Sequence, residues 1–374
     1  MGNRKMRAAK CTLSRAATGA VLAACATSAH AQSSVTLFGM MDAGVSYVSN
    51  EGGHGNMKFD DGIYTPNLFG LRGGEDLGGG THAVFELLDQ FSMANGATIG
   101  NGLFGRTAYV GLDNVRLGTL TLGNQYDFMP DFLFFTGDDA ARDVGGLYNM
   151  RNGPFQKLAL PGNPTGAFDW DRLAGSQRVA SSVKYVSPVF GGLRAGALYG
   201  FGGVPGSFGA NNTVSLGIDY TRGPSGADAA YTNVKYGAQP GAQAASVRNW
   251  GIGTHYGFGA LTANALFTTV RNSASGGAVW MGEAGVVWRT GGPVLVGADY
   301  LYMKGNATLD NNHAHQFTAS VQYWLSRRTM VYVSGVWQRA SSGAAAQING
   351  VLDPQGASDG ANQAIARVGI HTAF

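Results

Sequence analysis

Apolar and polar residues alternate with a period of two along most of the chain, which predicts β-strands. In the segment "FTASVQYWL", Phe317, Val321 and Tyr323 fall on one face, whereas Thr318 and Gln322 fall on the other. The same alternation recurs in "VLVGADYLY", in "LTANALFTT" and in the final "AIARVGIHTAF". One face carries aliphatic and aromatic side chains and the other carries glycine and polar side chains. The pattern therefore predicts an all-β fold whose strands separate two different environments.

Connections of two kinds alternate between the predicted strands. Some are tight, such as 257–260 and 290–293, and the others are long and polar. The long connections are 49–66, 93–103, 127–176, 202–212, 238–247, 305–313 and 341–361. We count sixteen strands, which start near residues 35, 67, 80, 104, 117, 178, 193, 212, 227, 247, 260, 278, 294, 314, 328 and 362. Short turns at one end and long loops at the other are typical of an outer-membrane barrel.

The composition supports a membrane barrel over a soluble β-protein. Charged residues make up 13% of the chain, which is about half of the usual share in soluble domains. No segment after residue 31 is long and apolar enough for a membrane helix. Because lipid offers no hydrogen-bond partners, a membrane sheet must close on itself. We therefore predict a transmembrane antiparallel β-barrel in which Val35–Val48 pairs with Ala364–Phe374.

The first 31 residues have the features of a secretory signal peptide. They carry five cations and no anion, then a short apolar run, then "AHA" at a possible cleavage site. An alternative is a lipoprotein signal, "LAAC", in which Cys25 is the lipidated residue. Without the leader, 21 Lys and Arg stand against 23 Asp and Glu, a formal charge of −2, so a nucleic-acid partner is not expected. Residues 32–374 are predicted to form a single domain without cysteine.

Several motifs make the chain resemble a known family. These are "SSVTLFGMMDAGVSYV", "FGLRGGEDLGGGTHAVFEL", "LFGRTAYVGLDN", "LGTLTLGNQYD", "SSVKYVSPVFGGLRAGALYG" and the C-terminal Phe374. Together they resemble the general porins of Gram-negative outer membranes. The resemblance implies a homotrimer of sixteen-stranded barrels, each with a long third loop folded into the lumen. It also implies contact with outer-membrane lipid and lipopolysaccharide, and recognition of Phe374 by the barrel assembly machinery.

The resemblance also implies which residues narrow the pore. In that family, arginines on the barrel wall face acidic residues on the inward loop. Arg72 in "GLRGGED" and Arg106 in "FGRTAYVGL" match wall positions, and Arg178 is a looser match. In "TGDDAARDVGG", Asp139 and Asp143 fit the spacing of the acidic pair on the loop.

Two observations from the residues qualify this assignment. Strand parity places Phe69 and Leu71 on one face, so Arg72 belongs to the other. A lipid-facing arginine near the bilayer midplane costs about 2–4 kcal/mol, which favours a lumen position for Arg72. The family often has a second arginine four residues earlier, where this chain has Leu68. The sign of ion selectivity is therefore left open.

The expected function is passive diffusion of small hydrophilic solutes and ions across the outer membrane. The alternative is a substrate-specific channel, for example for small organic anions. No cofactor is expected, and an enzyme is disfavoured because no Ser–His pairing has a supporting motif. His313 and His315 share a strand face, but no third metal ligand is evident. The acids at Asp138, Asp139 and Asp143 could suggest calcium, yet they lack the usual spacing, and we favour a lumen position for them.

Overall fold

The architecture is described from a computed structural model of the chain. It covers residues 34–100, 102–238, 243–352 and 356–374. The signal peptide predicted over residues 1–31 lies outside these ranges. Within them, no helix combines the length and the apolar character needed to span a membrane.

The chain forms one antiparallel sheet of seventeen strand segments in the described ranges. They are β1 Ser34–Glu51, β2 His54–Asp61, β3 Leu68–Gly78, β4 Thr81–Gln90, β5 Thr107–Asn114, β6 Gly118–Gln125, β7 Val179–Val186, β8 Leu193–Gly200, β9 Thr213–Arg222, β10 Ser225–Tyr236, β11 Ala245–Phe258, β12 Leu261–Asn272, β13 Ala278–Arg289, β14 Val294–Gly305, β15 His313–Trp324, β16 Thr329–Ala340 and β17 Asn362–Ala373. Short helical turns lie at Met129–Phe134, Ala140–Arg142, Gly146–Asn149, Gln156–Leu158 and Ala307–Leu309.

These seventeen segments occupy sixteen positions around the barrel, because β2 and β3 share one. The lower part of β1 pairs with β3, and its upper part pairs with β2. The predicted number of strands is therefore confirmed. The sequence prediction was wrong over residues 49–66, which it treated as a loop. β2 forms there because β1 continues to Glu51 and offers it a hydrogen-bonding edge.

The sheet closes between the first strand and the last. β1 pairs with β17 from Met40 opposite Ala373 to Val48 opposite Ile365. The ladder ends at Phe374, whose N–H donates to the carbonyl of Gly39 at 3.0 Å while its carbonyl accepts from the Gly39 N–H at 3.2 Å. The predicted closure is confirmed, and it leaves the backbone groups of both terminal strands paired.

The wall has an apolar exterior and a polar interior. Phe317, Val321 and Ile370 are 47%, 49% and 47% exposed, whereas Thr318 and Gln322, on the opposite face of β15, are buried. Exposed aromatic residues lie towards both ends of the strands. They are Trp250, Trp280 and Trp337 at the long-loop end, and Trp288 and Tyr323 at the short-turn end. Rings at these two levels flank the apolar band, as in outer-membrane barrels.

On the lumen side, a buried ion pair connects β1 and β17 across the seam, which is the line where these two strands close the barrel. Arg367 of β17 donates from Nη2 to Asp42 of β1 at 3.1 Å, and both side chains are fully buried. The same guanidinium donates to the hydroxyl of Tyr332 at 2.8 Å and to the hydroxyl of Ser46 at 3.1 Å. The Tyr148 hydroxyl, which belongs to the loop inside the lumen, also donates to Ser46. Strand closure and loop position are therefore joined in one network.

Replacement of this arginine should weaken the barrel. In Arg367→Met, the Asp42 carboxylate would stay buried without its cation, which typically costs about 3–5 kcal/mol. We expect a lower urea midpoint for unfolding in lipid vesicles, followed by tryptophan fluorescence. The control is Arg248→Met, which removes an exposed arginine from β11. Equal midpoints for the two variants would contradict a stabilising role for the seam pair.

Candidate functional site

The third long loop, residues 126–178 between β6 and β7, fills one side of the lumen. We refer to it as loop 3. Its apolar side chains pack on inward-facing residues of the wall, and both sets are buried. From the loop, the main contributors are Phe128, Phe132, Leu133, Phe155 and Trp170; from the wall, they are Leu198, Val247, Leu266, Met281 and Leu301. The predicted inward position of this loop is confirmed.

A row of inward glycines lets the loop lie directly on the wall. A Cβ at Gly196 would lie 2.2 Å from the Phe128 ring, and one at Gly297 would lie 2.3 Å from Val144. Both distances are far below ordinary contact. Successive glycines of the row face successive residues of the loop. The pairs are Gly196 with Phe128, Gly217 with Phe132, Gly251 with Leu133, Gly253 with Asp138, Gly285 with Ala140 and Gly297 with Val144. Strand glycines often mark such close backbone approach.

Buried charges fix the middle of loop 3 to β13. Arg151 bonds to the carboxylates of Asp139 and Asp171 on the loop and to Glu283 on the wall, and all four side chains are fully buried. The N–H of Ala140 also donates to Glu283 at 2.8 Å. Asp139 therefore lies beneath the loop, away from the open lumen. This placement differs from the predicted eyelet position, because the carboxylate is needed to neutralise Arg151.

The open part of the lumen lies between loop 3 and the wall of β1 to β8. It is a cavity of about 1130 Å³. Ten charged residues line it, five of each sign. The cations are Arg106, Arg142, Arg178, Lys184 and Arg194, and the acids are Asp60, Asp61, Glu86, Asp131 and Asp143. Leu68, at the position where the family often has arginine, also lines this cavity.

Four of these cations lie over aromatic rings at the start of loop 3. Arg106 and Arg178 lie 5.6 and 5.2 Å from the ring centre of Tyr126. Lys184 lies 4.9 Å from the Phe128 ring, and Arg194 lies 5.1 Å from the Phe132 ring. A cation over a ring face is stabilised by the ring quadrupole, by about 0.5–1 kcal/mol at exposed sites. The rings support the cations without neutralising them.

Five of the ten lining charges have a partner of opposite sign within ion-pair distance; Asp60, for example, lies 3.9 Å from Arg367. Lys184 bonds to Asp131, and Arg194 bonds to Asp219 of β9. Asp143 on the loop bonds to Arg289 of β13 at 2.7 Å. These pairs reduce the field that a passing ion experiences.

Arg106 and Arg178 differ in this respect from Lys184 and Arg194. In the part of the chain that the structure describes, no carboxylate lies within ion-pair distance of either guanidinium. Arg106 donates to the Gln90 side chain. Arg178 donates to the carbonyls of Arg106 and Ser176 at 3.0 and 2.7 Å. Burial and the neighbouring charge of Arg106 lower the pKa of Arg178 to about 10, so it stays cationic at neutral pH.

The structure brings some of the predicted site residues together. Arg106, Arg178 and Asp143 line the same cavity. Arg72 lies on the lumen face of β3, opposite Glu86, and its guanidinium is 4.8 Å from the Phe38 ring. It is not among the residues that line the cavity.

Sequence reasoning missed three lining cations. Lys184 shares the inward face of β7 with buried Ser182, so the parity rule applied to Arg72 would have found it. The same rule applies to Arg194, which lies between the exposed residues Leu193 and Ala195. Arg142 lies on loop 3 and donates to the carbonyl of Phe135 at 2.6 Å. No periodic signal marks a loop residue of this kind.

Comparisons with known proteins agree with this geometry. The family model for Gram-negative porins matches residues 16–343. The chain is 30% identical over 367 residues to outer membrane porin protein 32 of Delftia acidovorans, covering 95% of this chain and 98% of that protein. It is 27% identical over 267 residues to an outer membrane porin protein of Bordetella pertussis, and this match spans only 64% of either chain.

Solved structures share the same fold. An anion-selective porin from Comamonas acidovorans superposes with a TM-score of 0.75 at 25% identity, covering 92% of this chain and all of that one. The trimer form of OmpT from Vibrio cholerae superposes with a TM-score of 0.63 at 12% identity, covering 91% of this chain and 99% of that one. At 12% identity, the similarity to OmpT shows a shared fold and nothing further.

Loop docking can be tested at the glycine row. In Gly217→Ala, the added Cβ would lie 2.5 Å from the Phe132 ring. Overpacking of this kind costs about 1–3 kcal/mol, and we expect the loop to shift into the lumen and lower single-channel conductance. The matched control is Gly282→Ala on β13, where a Cβ meets nothing within 4 Å. Unchanged conductance and stability in Gly217→Ala would show that loop 3 does not lie against this wall.

Proposed function

The chain belongs to the family of Gram-negative porins, and we propose that its outer-membrane channel favours small anions. The observation that carries this proposal is the position of Arg106 and Arg178. Both line the cavity beside loop 3, and neither has a carboxylate within ion-pair distance among the residues described. Two adjacent cations without counter-charges favour anions over cations in a narrow aqueous pore.

Transport through such a site needs no chemistry. A solute moves down its gradient, and the pore selects by diameter and by electrostatic field. The guanidinium groups offer N–H donors that replace part of the hydration shell of an anion. The rings of Tyr126, Phe128 and Phe132 make that side of the pore less polarisable than water, which strengthens the field of the arginines.

We assign the constriction to Arg106 and Arg178 on the wall and to Asp143 on the loop. Arg72 lies on the same lumen face and adds positive potential next to the cavity. Asp139 is left out because it is buried in the Arg151 cluster. The similar structure from Comamonas acidovorans is described as anion-selective, which supports the same sign of selectivity here.

The proposed assembly is a homotrimer that contacts outer-membrane lipid and lipopolysaccharide. Family membership supports it, and a structural neighbour is described in a trimer form. We also propose that the barrel assembly machinery recognises Phe374. Its ring lies at the end of the closing ladder and is 46% exposed, so it is available at the barrel surface.

Ion selectivity tests the proposed role of the arginine pair. In Arg106→Gln with Arg178→Gln, we expect the reversal potential in a KCl gradient to move towards the potassium equilibrium potential. The effect should shrink at 1 M salt, where charges are screened within about 3 Å. The control is Arg339→Gln, which removes an exposed arginine at the end of β16. The same reversal potential in the double variant and the control would exclude this pair as the selectivity element.

Planar-bilayer recording distinguishes general diffusion from a specific channel. For a general porin we expect near-ohmic current that appears in three equal steps, because each barrel of a trimer conducts separately. Addition of millimolar small organic anions should reduce the chloride current only by competition. Block at micromolar concentrations by one such anion would favour the substrate-specific alternative, and single steps would contradict the trimer.

A further inference from the structure

A second cluster of side chains lies between loop 3 and the opposite wall, away from the arginine pair. It consists of Asp138 on loop 3, Asp228 on β10 and His255 on β11. One potential ligand atom from each lies within 4.8 Å of the others. Asp138 and Asp228 are 0% and 2% exposed. The cluster therefore joins the loop to two strands of the wall in a buried position.

The carboxylates of this cluster are poorly satisfied. Oδ2 of Asp138 and both oxygens of Asp228 are buried without a hydrogen-bond partner in the described chain. The remaining oxygen, Oδ1 of Asp138, lies 2.7 Å from Nδ1 of His255. Buried carboxylate oxygens without donors are costly and normally have a proton or a cation beside them. This arrangement points to a ligand.

The neighbouring charges do not supply that cation. Asp219 lies directly opposite Asp228 in the sheet. Because the guanidinium of Arg194 forms an ion pair with Asp219, it does not pair with Asp228. On the loop side, Arg151 is bound to Asp139, Asp171 and Glu283. Asp138 and Asp228 are thus left with one imidazole between them.

The backbone leaves room for these side chains. A Cβ at Gly253, opposite Asp228 on β11, would lie 2.4 Å from Oδ2 of Asp138. A Cβ at Gly226, opposite His255 on β10, would lie 2.0 Å from the imidazole ring. Any larger residue at either position would displace a member of the cluster. The two glycines therefore permit the convergence of Asp138 and His255 on Asp228.

We propose that Asp138, Asp228 and His255 bind a divalent transition-metal cation of the zinc or manganese class. One imidazole nitrogen with two carboxylates is a mixed donor set that suits these ions better than calcium, which prefers oxygen ligands alone. A dication neutralises the two carboxylates. Small side-chain movements suffice to bring the three atoms within about 2.0–2.2 Å of one metal ion.

Such a site would anchor the loop that shapes the pore. Asp138 immediately precedes the Asp139–Arg151 cluster, so a metal at Asp138 would extend the attachment of loop 3 from β13 to β10 and β11. Asp228 and His255 each lie three residues from the strand end at the short-turn side. His255 keeps 16% of its side chain exposed, which offers an approach for the ion.

Metal binding can be measured without any recording of current. The full chain, folded in detergent and treated with chelator, is titrated with Zn²⁺ and with Mn²⁺ by equilibrium dialysis and metal analysis. We expect one ion per chain for at least one of the two metals, and more than about tenfold weaker binding in Asp228→Asn and in His255→Gln. Ca²⁺ should compete poorly. The matched control, His313→Gln with His315→Gln, removes the half-buried histidine pair on β15 and should bind as the unchanged chain does.

Other outcomes would overturn the proposal. If neither metal binds at one ion per chain, the two carboxylates share a proton and no metal site is present. If binding is lost only in the control, the metal lies on the exterior histidines. If either cluster variant fails to fold, anomalous diffraction from metal-soaked crystals of the unchanged chain decides. A peak between the three side chains supports the site, and its absence rejects it. Failure of anion selectivity would leave this result untouched, because the arginine pair is not part of the cluster.

Discussion

Closure of the sheet between β1 and β17 is the constraint on which the rest of the molecule depends. In lipid, an open sheet edge would leave a row of N–H and C=O groups without partners, at several kcal/mol per group. The ladder from Met40 to Val48, with its last bonds between Gly39 and Phe374, removes that edge. Once the ring is closed, each strand has one face in lipid and one in water. The alternation of apolar and polar residues follows from this geometry.

Closure of sixteen strands also leaves a wide lumen, which loop 3 partly fills. A ring of sixteen strands is too wide for its own side chains to fill, so the lumen stays open unless a segment enters it. Loop 3 packs its apolar side chains onto β8 to β15, and the row of inward glycines lets it lie close to the wall. The Arg151 cluster then fixes its middle part. The channel is what remains on the other side, along β1 to β8.

The fold could be predicted from the sequence because lipid and water impose a signal of period two on every strand. Each of the sixteen predicted starts lies within three residues of the first residue of a strand. Phe317, Val321 and Ile370 face outwards, as the alternation predicts. The position of Asp139 could not be predicted in this way. Its burial depends on Arg151, twelve residues along the same loop, and on Glu283 in a distant strand. No local pattern reports which side of an irregular loop faces water.

The charges of the lumen show why pairing matters more than number. Five cations and five acids line the cavity, which by count alone predicts no preference. An ion pair acts on a passing solute only as a dipole, whose field falls off faster than that of a single charge. Lys184 and Arg194 are paired in this way, and so is Asp143. Arg106 and Arg178 are held instead by an amide, by backbone carbonyls and by the Tyr126 ring, none of which carries a compensating charge. The proposed preference for anions therefore depends on these two cations and not on the count of charged residues.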